Sequence, residues 1–407
     1  MDEVLSRIKP SKEEEAKVGT QVDSILKKIN RRLSGAKAIL GGSGIKGTWL
    51  RDAHDADIFV CYDYQKFKDR SDELSDILEK QLKRTFRMKR LHGSRDYFQI
   101  REGEFTYEIV PILKITKASQ AKNITDVSPL HAAWVNRNKK ARDDIRLLKQ
   151  FCKGIGAYGA ESYIKGISGY VCEILVNYYG SFEKVLTRAA TWKEGTVIDV
   201  AKHHKSSNVF ADLNKSKLES PLIVIDPVQA DRNAAAALSM EKFEVFKRNA
   251  AAYIKKPSAK FFEVRHPSAE ILRKNAKNHD VIILKACPLD GKRDTVGCKL
   301  LKVFEHIRST LVVHEFEVLD AGWWWDGEAT FYFIVAGKLP KMKTHGGPPV
   351  TTKEHAIIFK KKYKKTFIEK GHLQALIPRK YLAAQDLIKD ILKDPNIKSR
   401  VKKIHVV

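Results

Sequence analysis

The chain is poor in the features of a secreted, membrane-spanning or thiol-dependent protein. It has 5 cysteines in 407 residues. Cys61, Cys152, Cys172, Cys287 and Cys298 form no C-x-x-C pair and have no histidines at zinc-ligand spacing, which argues against a disulfide scaffold. Long apolar runs are missing as well. Ala329–Gly337 falls far short of the roughly 20 residues of a membrane span. Met1–Lys17 mixes acids and bases and lacks the apolar core of a signal peptide. There is no internal repeat, no low-complexity tract and no Ser/His/Asp or Cys/His arrangement for a protein nucleophile. With 43% hydrophobic and 30% charged residues, a mainly disordered or collagen-like chain is excluded. These absences predict a cytoplasmic protein of two to three domains that makes no use of a membrane.

What the chain has in excess is positive charge. Against 49 Asp and Glu stand 75 Lys and Arg, a net +26. A field of that sign attracts polyanions, nucleic acid above all. Residues 341–407 carry +12 of it, whereas residues 258–340 carry only +1. The densest cluster is Phe359-Lys-Lys-Lys-Tyr-Lys-Lys-Thr-Phe367. There Lys361, Lys362 and Lys364 can meet phosphates while interleaved aromatics stack on bases. The other reading is a solvated helix face with two buried aromatics.

Periodicity predicts an amphipathic helix over Lys12–Leu33, where Val18, Val22, Ile25, Leu26 and Ile29 recur at helical spacing. Ala36–Leu40 reads as a strand running into Gly41-Gly42-Ser43-Gly44, and Asp57–Cys61 as a second strand. Asp72–Arg90 looks helical. Arg95–Arg101 and Phe105–Leu113 form a hairpin around Glu102-Gly103-Glu104, and Ser128 opens a helix. Residues 134–192 are mostly helical. Leu222–Ile225 is strand-like and Ala234–Tyr253 helical, with Pro257 at a boundary. Beyond it Val281–Leu284, Phe316–Leu319 and Thr330–Val335 read as strands, Cys298–Leu311 as a helix and Gly346-Gly347-Pro348-Pro349 as a loop.

The chemistry lies in one pattern. Gly42-Ser43 is followed, after eleven residues, by Asp55-Ala56-Asp57-Ile58. On a strand, residues i and i+2 share a face, so Asp55 and Asp57 project two carboxylates side by side. Such a pair is costly unless a cation neutralises it, and Mg²⁺ does so while keeping substrate phosphates in its shell. Two metals can activate an attacking oxygen and stabilise a leaving one. The turn supplies the rest: Gly42 lets the backbone approach a phosphate, and the Ser43 hydroxyl can hydrogen-bond it. Glu108, inside the apolar run Tyr107-Glu-Ile-Val-Pro111, is the candidate third acid. An edge strand facing water is the alternative reading for it.

This pattern resembles the signature of the polymerase-β-like nucleotidyltransferases. More narrowly, Gly42-Ser-Gly-Ile-Lys-Gly-Thr-Trp-Leu50, Tyr158-Gly-Ala-Glu161, Gly166-Ile-Ser-Gly-Tyr170, Tyr179-Gly-Ser-Phe182, Thr196-Val-Ile-Asp199 and Asp226-Pro-Val228 with Arg232-Asn233 resemble the archaeal, class I CCA-adding enzymes. The likeness is dense over residues 36–260. It is looser beyond, where Arg265-His-Pro267 and Gly347-Pro-Pro-Val350 still look similar.

The resemblance implies an α+β, multidomain fold. Residues 1–135 form a nucleotidyltransferase (polymerase-β-like) head with a mixed sheet, and 136–257 a helical neck for nucleotide binding and specificity. Residues 258–407 form an α/β body and tail that bind tRNA. It further implies template-independent addition of CCA to tRNA from CTP and ATP, with two Mg²⁺ ions and release of pyrophosphate, and it leaves room for a homodimer. Asp55, Asp57 and Glu108 match the metal-binding carboxylates, the family often having Asp at the third position. Ser43 matches the phosphate-binding serine, and Lys46 a basic residue of the same turn. His131, Lys149 and Tyr158 match residues that hold the triphosphate and sugar. Arg232 matches an arginine that frames the base together with the phosphates of the RNA end. By themselves these last four read as a helix-start histidine, a surface lysine, a core tyrosine and a surface ion pair; the resemblance is what gives them roles.

Three other functions are weighed. A poly(A) or oligoadenylate polymerase shares head and neck but lacks the motifs after Arg232. An RNA-binding protein with an inactive head does not need the three acids and Ser43. A basic structural protein of the ribosome or chromatin does not account for the near-neutral 258–340 stretch.

Overall fold

The computed structural model describes residues 1–51, 55–204 and 209–407. They fall into two compact units, Met1–Arg265 and His266–Val407. Among the described residues no helix is long and apolar enough to cross a membrane.

The first unit opens with α1 (Asp2–Ile8), α2 (Lys12–Asn30), β1 (Ala36–Leu40), α3 (Gly42–Lys46), β2 (Asp55–Asp63), α4 (Tyr64–Phe67) and α5 (Leu74–Leu82). It continues with β3 (Lys89–Leu91), β4 (Tyr97–Glu102), β5 (Phe105–Lys114) and α6 (Ser128–Val135). The sheet runs β1-β2-β5-β4-β3. It is mixed, because β2 and β5 are parallel and the other neighbours antiparallel. Ser11 starts α2 with a capping box, exchanging hydrogen bonds with Glu14 (3.2 and 2.7 Å). Val22, Ile25 and Ile29 then bury its inner stripe against Ile58, Val60 and Ile109. Pro111 lies past the last residue of β5 that pairs with β4, so its missing N–H interrupts no ladder on that side.

The helix expected over Asp72–Arg90 is shorter. Its apolar stripe, Leu74, Leu78 and Leu82, ends with α5, and the chain turns into the edge strand β3. Arg90 ties that strand back to Asp76, Glu79 and Asp96 (2.7, 2.9 and 2.8 Å).

A second core follows in the same unit, around α7 (Arg142–Gly154), α8 (Gly169–Tyr179), α9 (Phe182–Ala189) and α12 (Met240–Lys255). Between α9 and α12 come β6 (Thr196–Ile198), α10 (Val209–Asp212), α11 (Lys215–Leu218) and β7 (Leu222–Val224), with β6 and β7 paired in parallel. Phe151, Phe182, Phe246, Tyr253 and Phe262 interlock edge-to-face at its centre.

The second unit contains α13 (Ala269–Ala276), β8 (Asp280–Pro288), α14 (Arg293–Val313), β9 (Val318–Asp326) and β10 (Glu328–Val335). After them come β11 (Met342–Pro349), α15 (Lys353–Lys362), β12 (Thr366–Glu369), β13 (His372–Pro378), α16 (Ala384–Ile391), α17 (Pro395–Lys398) and β14 (Val401–Val406). An antiparallel sheet β14-β8-β10-β9 packs on α14 and α16, and a small sheet β11-β13-β12 on α15. Two expectations change here. Phe316 is a buried residue before the strand, which begins at Val318 and runs through three tryptophans. Gly346–Pro349 is strand, not loop. It pairs only with β13, and its register slips between Gly346 and Pro349, so the prolines occupy an edge where no second partner needs an N–H.

Candidate active site

Three carboxylates converge on one face of the head sheet. Asp55 and Asp57 alternate along β2. The parallel register sets Glu108 of β5 directly across from Asp57, and Thr106 across from Asp55, so all three acids share a face. β5 is flanked by β2 and β4, which removes the edge-strand reading of Glu108. Gln99, its partner on β4, donates Nε2–H to Glu108 Oε1 (2.9 Å).

Crowding shows in the electrostatics. Asp57 keeps some exposed surface, but its carboxyl group is almost wholly enclosed. Burial first, then the charges of Glu108 and Asp55, push it up to about 6, with Lys46 pulling it back. A carboxyl raised by two neighbouring carboxylates is what a hard cation relieves. Among the described residues no three His, Cys, Asp or Glu side chains are drawn together tightly enough to enclose an ion. The donors are all hard oxygens from adjacent strands. In kind, and in sharing one face, Asp55, Asp57 and Glu108 suit a hard divalent ion.

The turn after β1 is built against this patch. The Gly41 N–H donates to the Asp57 carbonyl (2.8 Å). Gly42 adopts φ +53°, and a Cβ there would lie 1.7 Å from Asp57 Oδ2. A side chain there would be strained and would press on Asp57, so both counts favour glycine. Ser43 follows and lines a cleft of about 350 Å³ with Asp55, Leu40, Val22 and Phe105.

The remaining candidates gather on two buried carboxylates. Glu173 of α8 takes Lys46 Nζ on Oε2 (2.7 Å) and Lys149 Nζ on Oε1 (2.8 Å). The Thr48 hydroxyl donates to the same Oε1 (2.8 Å) and accepts from Lys149 (2.9 Å). Burial alone raises the Glu173 carboxyl, but Lys149 and Lys46 outweigh it and hold the group at about 2. Lys149 is therefore a buried ion-pair member rather than a surface lysine. Its helix neighbour Arg146 is buried too, donating to the carbonyls of Trp49 (3.0 Å) and Gly47 (2.8 Å).

Asp226, after β7, is the second hub. Arg232 Nη1 donates to its Oδ2 (2.5 Å) and Tyr170 Oη to its Oδ1 (3.1 Å). His131 Nε2 sits 3.0 Å from Oδ2, with the ring not aligned for a hydrogen bond. Burial pushes Asp226 up, while His131, the Val228 N–H and Arg232 bring it down to about 2. Tyr170 joins the hubs: its ring stacks on His131 (4.3 Å) and lies beneath Lys46 (5.2 Å). Arg232 is thus an ion pair, but with a buried partner. Tyr158 lies beside Lys149 where Gly169 allows close approach, a Cβ there meeting Tyr158 Oη at 2.9 Å and Lys149 Cε at 3.3 Å. Burial pushes the Tyr158 hydroxyl strongly up.

Lys361, Lys362 and Lys364 lie in the second unit, exposed on the end of α15 and just beyond it. The interleaved Phe359 is buried with Leu373 and Ala375, and Tyr363 packs on Phe359 and His345. These two rings are mainly core, and the lysines form the solvated face.

Sequence reasoning assigned no role to Glu173, Thr48, Tyr170 or Asp226. One signal was available for Glu173: it is an acid inside the apolar helix Val171-Cys-Glu-Ile-Leu-Val176.

Comparison with known proteins covers nearly the whole chain. Residues 22–130 match the nucleotidyltransferase domain, residues 143–263 the second domain of tRNA nucleotidyltransferase, and residues 281–404 the C-terminal domain of the CCA-adding enzyme. The CCA-adding enzyme of Methanosarcina barkeri is 32% identical over 98% of this chain and 90% of its own length. That of Methanocaldococcus jannaschii is 33% identical over 96% and 90%. Among solved structures, the Cid1 poly(U) polymerase superposes on 65% of this chain and 97% of its own, with a TM-score of 0.51 at 14% identity, a likeness of fold alone. With the carboxylate face and the two hubs in one unit and relatives aligned nearly end to end, the chain belongs to the family of archaeal CCA-adding enzymes.

Proposed function

We propose that this protein adds CCA to the 3′ end of tRNA, taking CTP and ATP as substrates and releasing pyrophosphate. The observation that carries the reading is the β2/β5 register, which sets Glu108 across from Asp57 and two residues from Asp55, in a chain whose relatives are CCA-adding enzymes. Asp55, Asp57 and Glu108 hold the metal. When bound, Mg²⁺ supplies positive charge that lowers the barrier to attack at the α-phosphate.

The protein's own work is positioning and charge. The Gly42-Ser43 turn brings a hydroxyl and backbone N–H groups beside Asp57. Lys46 and Lys149 offer fixed positive charge to the triphosphate, with His131 and Tyr158 at its side. Arg232, its guanidinium held by Asp226, presents a planar donor fork to the base. Lys361, Lys362 and Lys364 bind RNA phosphates. The reaction takes place in the cytosol, and a homodimer is the further expectation, checked by mass in solution. The test is to incubate the protein with tRNA lacking its 3′ CCA, Mg²⁺ and labelled CTP or ATP, and to read product length. Growth by two C and one A supports the reading. A long A tract overturns it.

A further inference from the structure

We propose that Glu173 is a positioning residue of the nucleotide site: its carboxylate, shared by Lys46 and Lys149, keeps both ammonium groups charged and fixed where the triphosphate of CTP or ATP binds. The inference rests on the function proposed above and goes beyond it, since Glu173 itself meets no substrate in that scheme.

The geometry is specific. Glu173 is 1% exposed, and its two oxygens are divided between the lysines, Oε2 to Lys46 (2.7 Å) and Oε1 to Lys149 (2.8 Å). The three residues come from α8, α3 and α7, Lys46 lying 127 residues and Lys149 24 residues from Glu173. Thr48 locks the arrangement by donating to Glu173 and accepting from Lys149. Ser168 caps α8 by accepting from the Val171 N–H (3.1 Å), and Gly169 lets the helix press on Lys149 and Tyr158.

The physics gives the carboxylate a task. Buried acids and buried lysines both tend to lose their charge, the acid by gaining a proton and the lysine by giving one up. Two lysines beside one another are worse still, because their charges repel. One carboxylate between them offsets both penalties and leaves the trio with a net positive charge among buried groups, where a charge acts at longer range than in water. The lysines are not equivalent. Lys149 directs all of its donors to Glu173 and Thr48: to the Glu173 carboxylate, to the Thr48 hydroxyl, and to the Thr48 carbonyl at a long 3.4 Å. It acts on a triphosphate as a point charge. Lys46 makes one hydrogen bond among the described residues and is more open, at 12% exposed, so it is the lysine placed to reach a phosphate oxygen.

The surrounding titratable and charged groups are Tyr170 under Lys46, Tyr158 and Lys153 beside Lys149, and the buried thiols of Cys152 and Cys172. Glu161 bears on Tyr158, Asp57 on the Lys46 side, and Asp226 is reached through Tyr170. None of the other acids makes an ion pair with either lysine among the described residues, so Glu173 carries the counter-charge.

The test measures KM and kcat for CTP and ATP in wild type, Glu173→Gln and Glu173→Asp. Equilibrium binding of CTP and ATP without RNA is measured alongside. In Glu173→Gln, KM and the dissociation constant should rise about tenfold or more. The rise should exceed the fall in kcat. Glu173→Asp keeps the charge with a shorter reach, so it should recover part of the affinity. Unchanged KM and nucleotide affinity in a folded Glu173→Gln protein overturn the proposal and leave Glu173 a strut. If Glu173→Gln shows no melting transition, Glu173→Asp decides: raised KM with near-normal melting supports the proposal, and unchanged KM overturns it. The function reading fails separately, if wild type adds no nucleotide to tRNA ends; nucleotide binding by the variants still answers for Glu173.

Discussion

Gly42→Ala is a substitution of one methyl group whose effect can be worked out from the structure. The new Cβ would sit 1.7 Å from Asp57 Oδ2, 2.7 Å from its Cγ and 3.1 Å from its Cβ. Ordinary contact begins beyond 3 Å, so the Asp57 carboxylate or the turn must shift by more than about 1 Å. Displacement of that size at a reacting centre costs about a hundredfold in rate. The backbone adds strain at φ +53°, about 1–2 kcal/mol for a residue with a side chain. In a unit of this size that lowers Tm by a few degrees only. Expected, then, is a single-turnover transfer rate down about a hundredfold in a protein that still melts cooperatively a few degrees below wild type. A rate within about threefold of wild type would refute the claim that Gly42 exists to admit the Asp57 carboxylate.

Three further expectations follow from the same geometry. Asp57, raised from 3.8 to about 6, binds its proton more tightly when folded, so its contribution to stability is greatest at low pH and is lost as pH rises through about 4 to 6, to the extent of about 3 kcal/mol. In EDTA, Asp57→Asn should therefore melt higher than wild type at pH 8, by a margin that shrinks toward pH 4 and that Mg²⁺ diminishes by stabilising wild type; equal margins at both pH values contradict this. Arg232→Ala should lower efficiency with CTP and ATP by roughly tenfold to a hundredfold and let GTP and UTP compete, read from incorporation of the four nucleotides; uniform loss with GTP and UTP still excluded makes Arg232 a phosphate contact. Neutralising Lys361, Lys362 and Lys364 together should flatten the log–log salt dependence of tRNA binding by roughly 0.7–0.9 per lost phosphate contact, while Phe359→Leu, a change inside the small core, leaves the slope unchanged.

The parts of the head that are readable from sequence are those fixed by local chemistry. Apolar strands punctuated by glycine place β1, the Gly42-Ser43 turn and β2, and an acid inside an apolar strand marks Glu108. What is not readable is what depends on chain segments meeting across long separations. The parallel register of β2 and β5 joins strands far apart in sequence, and no local signal fixes it. Glu173 meets Lys46 across 127 residues and Lys149 across 24, so an acid that looks anomalous in its helix becomes intelligible only once three elements pack. The surface reading of Lys149 fails for that reason. The helix over Asp72–Arg90 is overextended because its charged second half fits a helix as well as the edge strand that Arg90 braces. Gly346–Pro349 looks like a loop because glycine and proline break most strands, yet at a sheet edge they do not.

The central claim is that Asp55, Asp57 and Glu108 form one catalytic face while tRNA is held mainly elsewhere. Single-turnover nucleotide transfer by Asp57→Ala, measured beside its tRNA affinity, tests it most directly. Transfer should be abolished with affinity close to wild type. Near-normal transfer by Asp57→Ala would contradict the account.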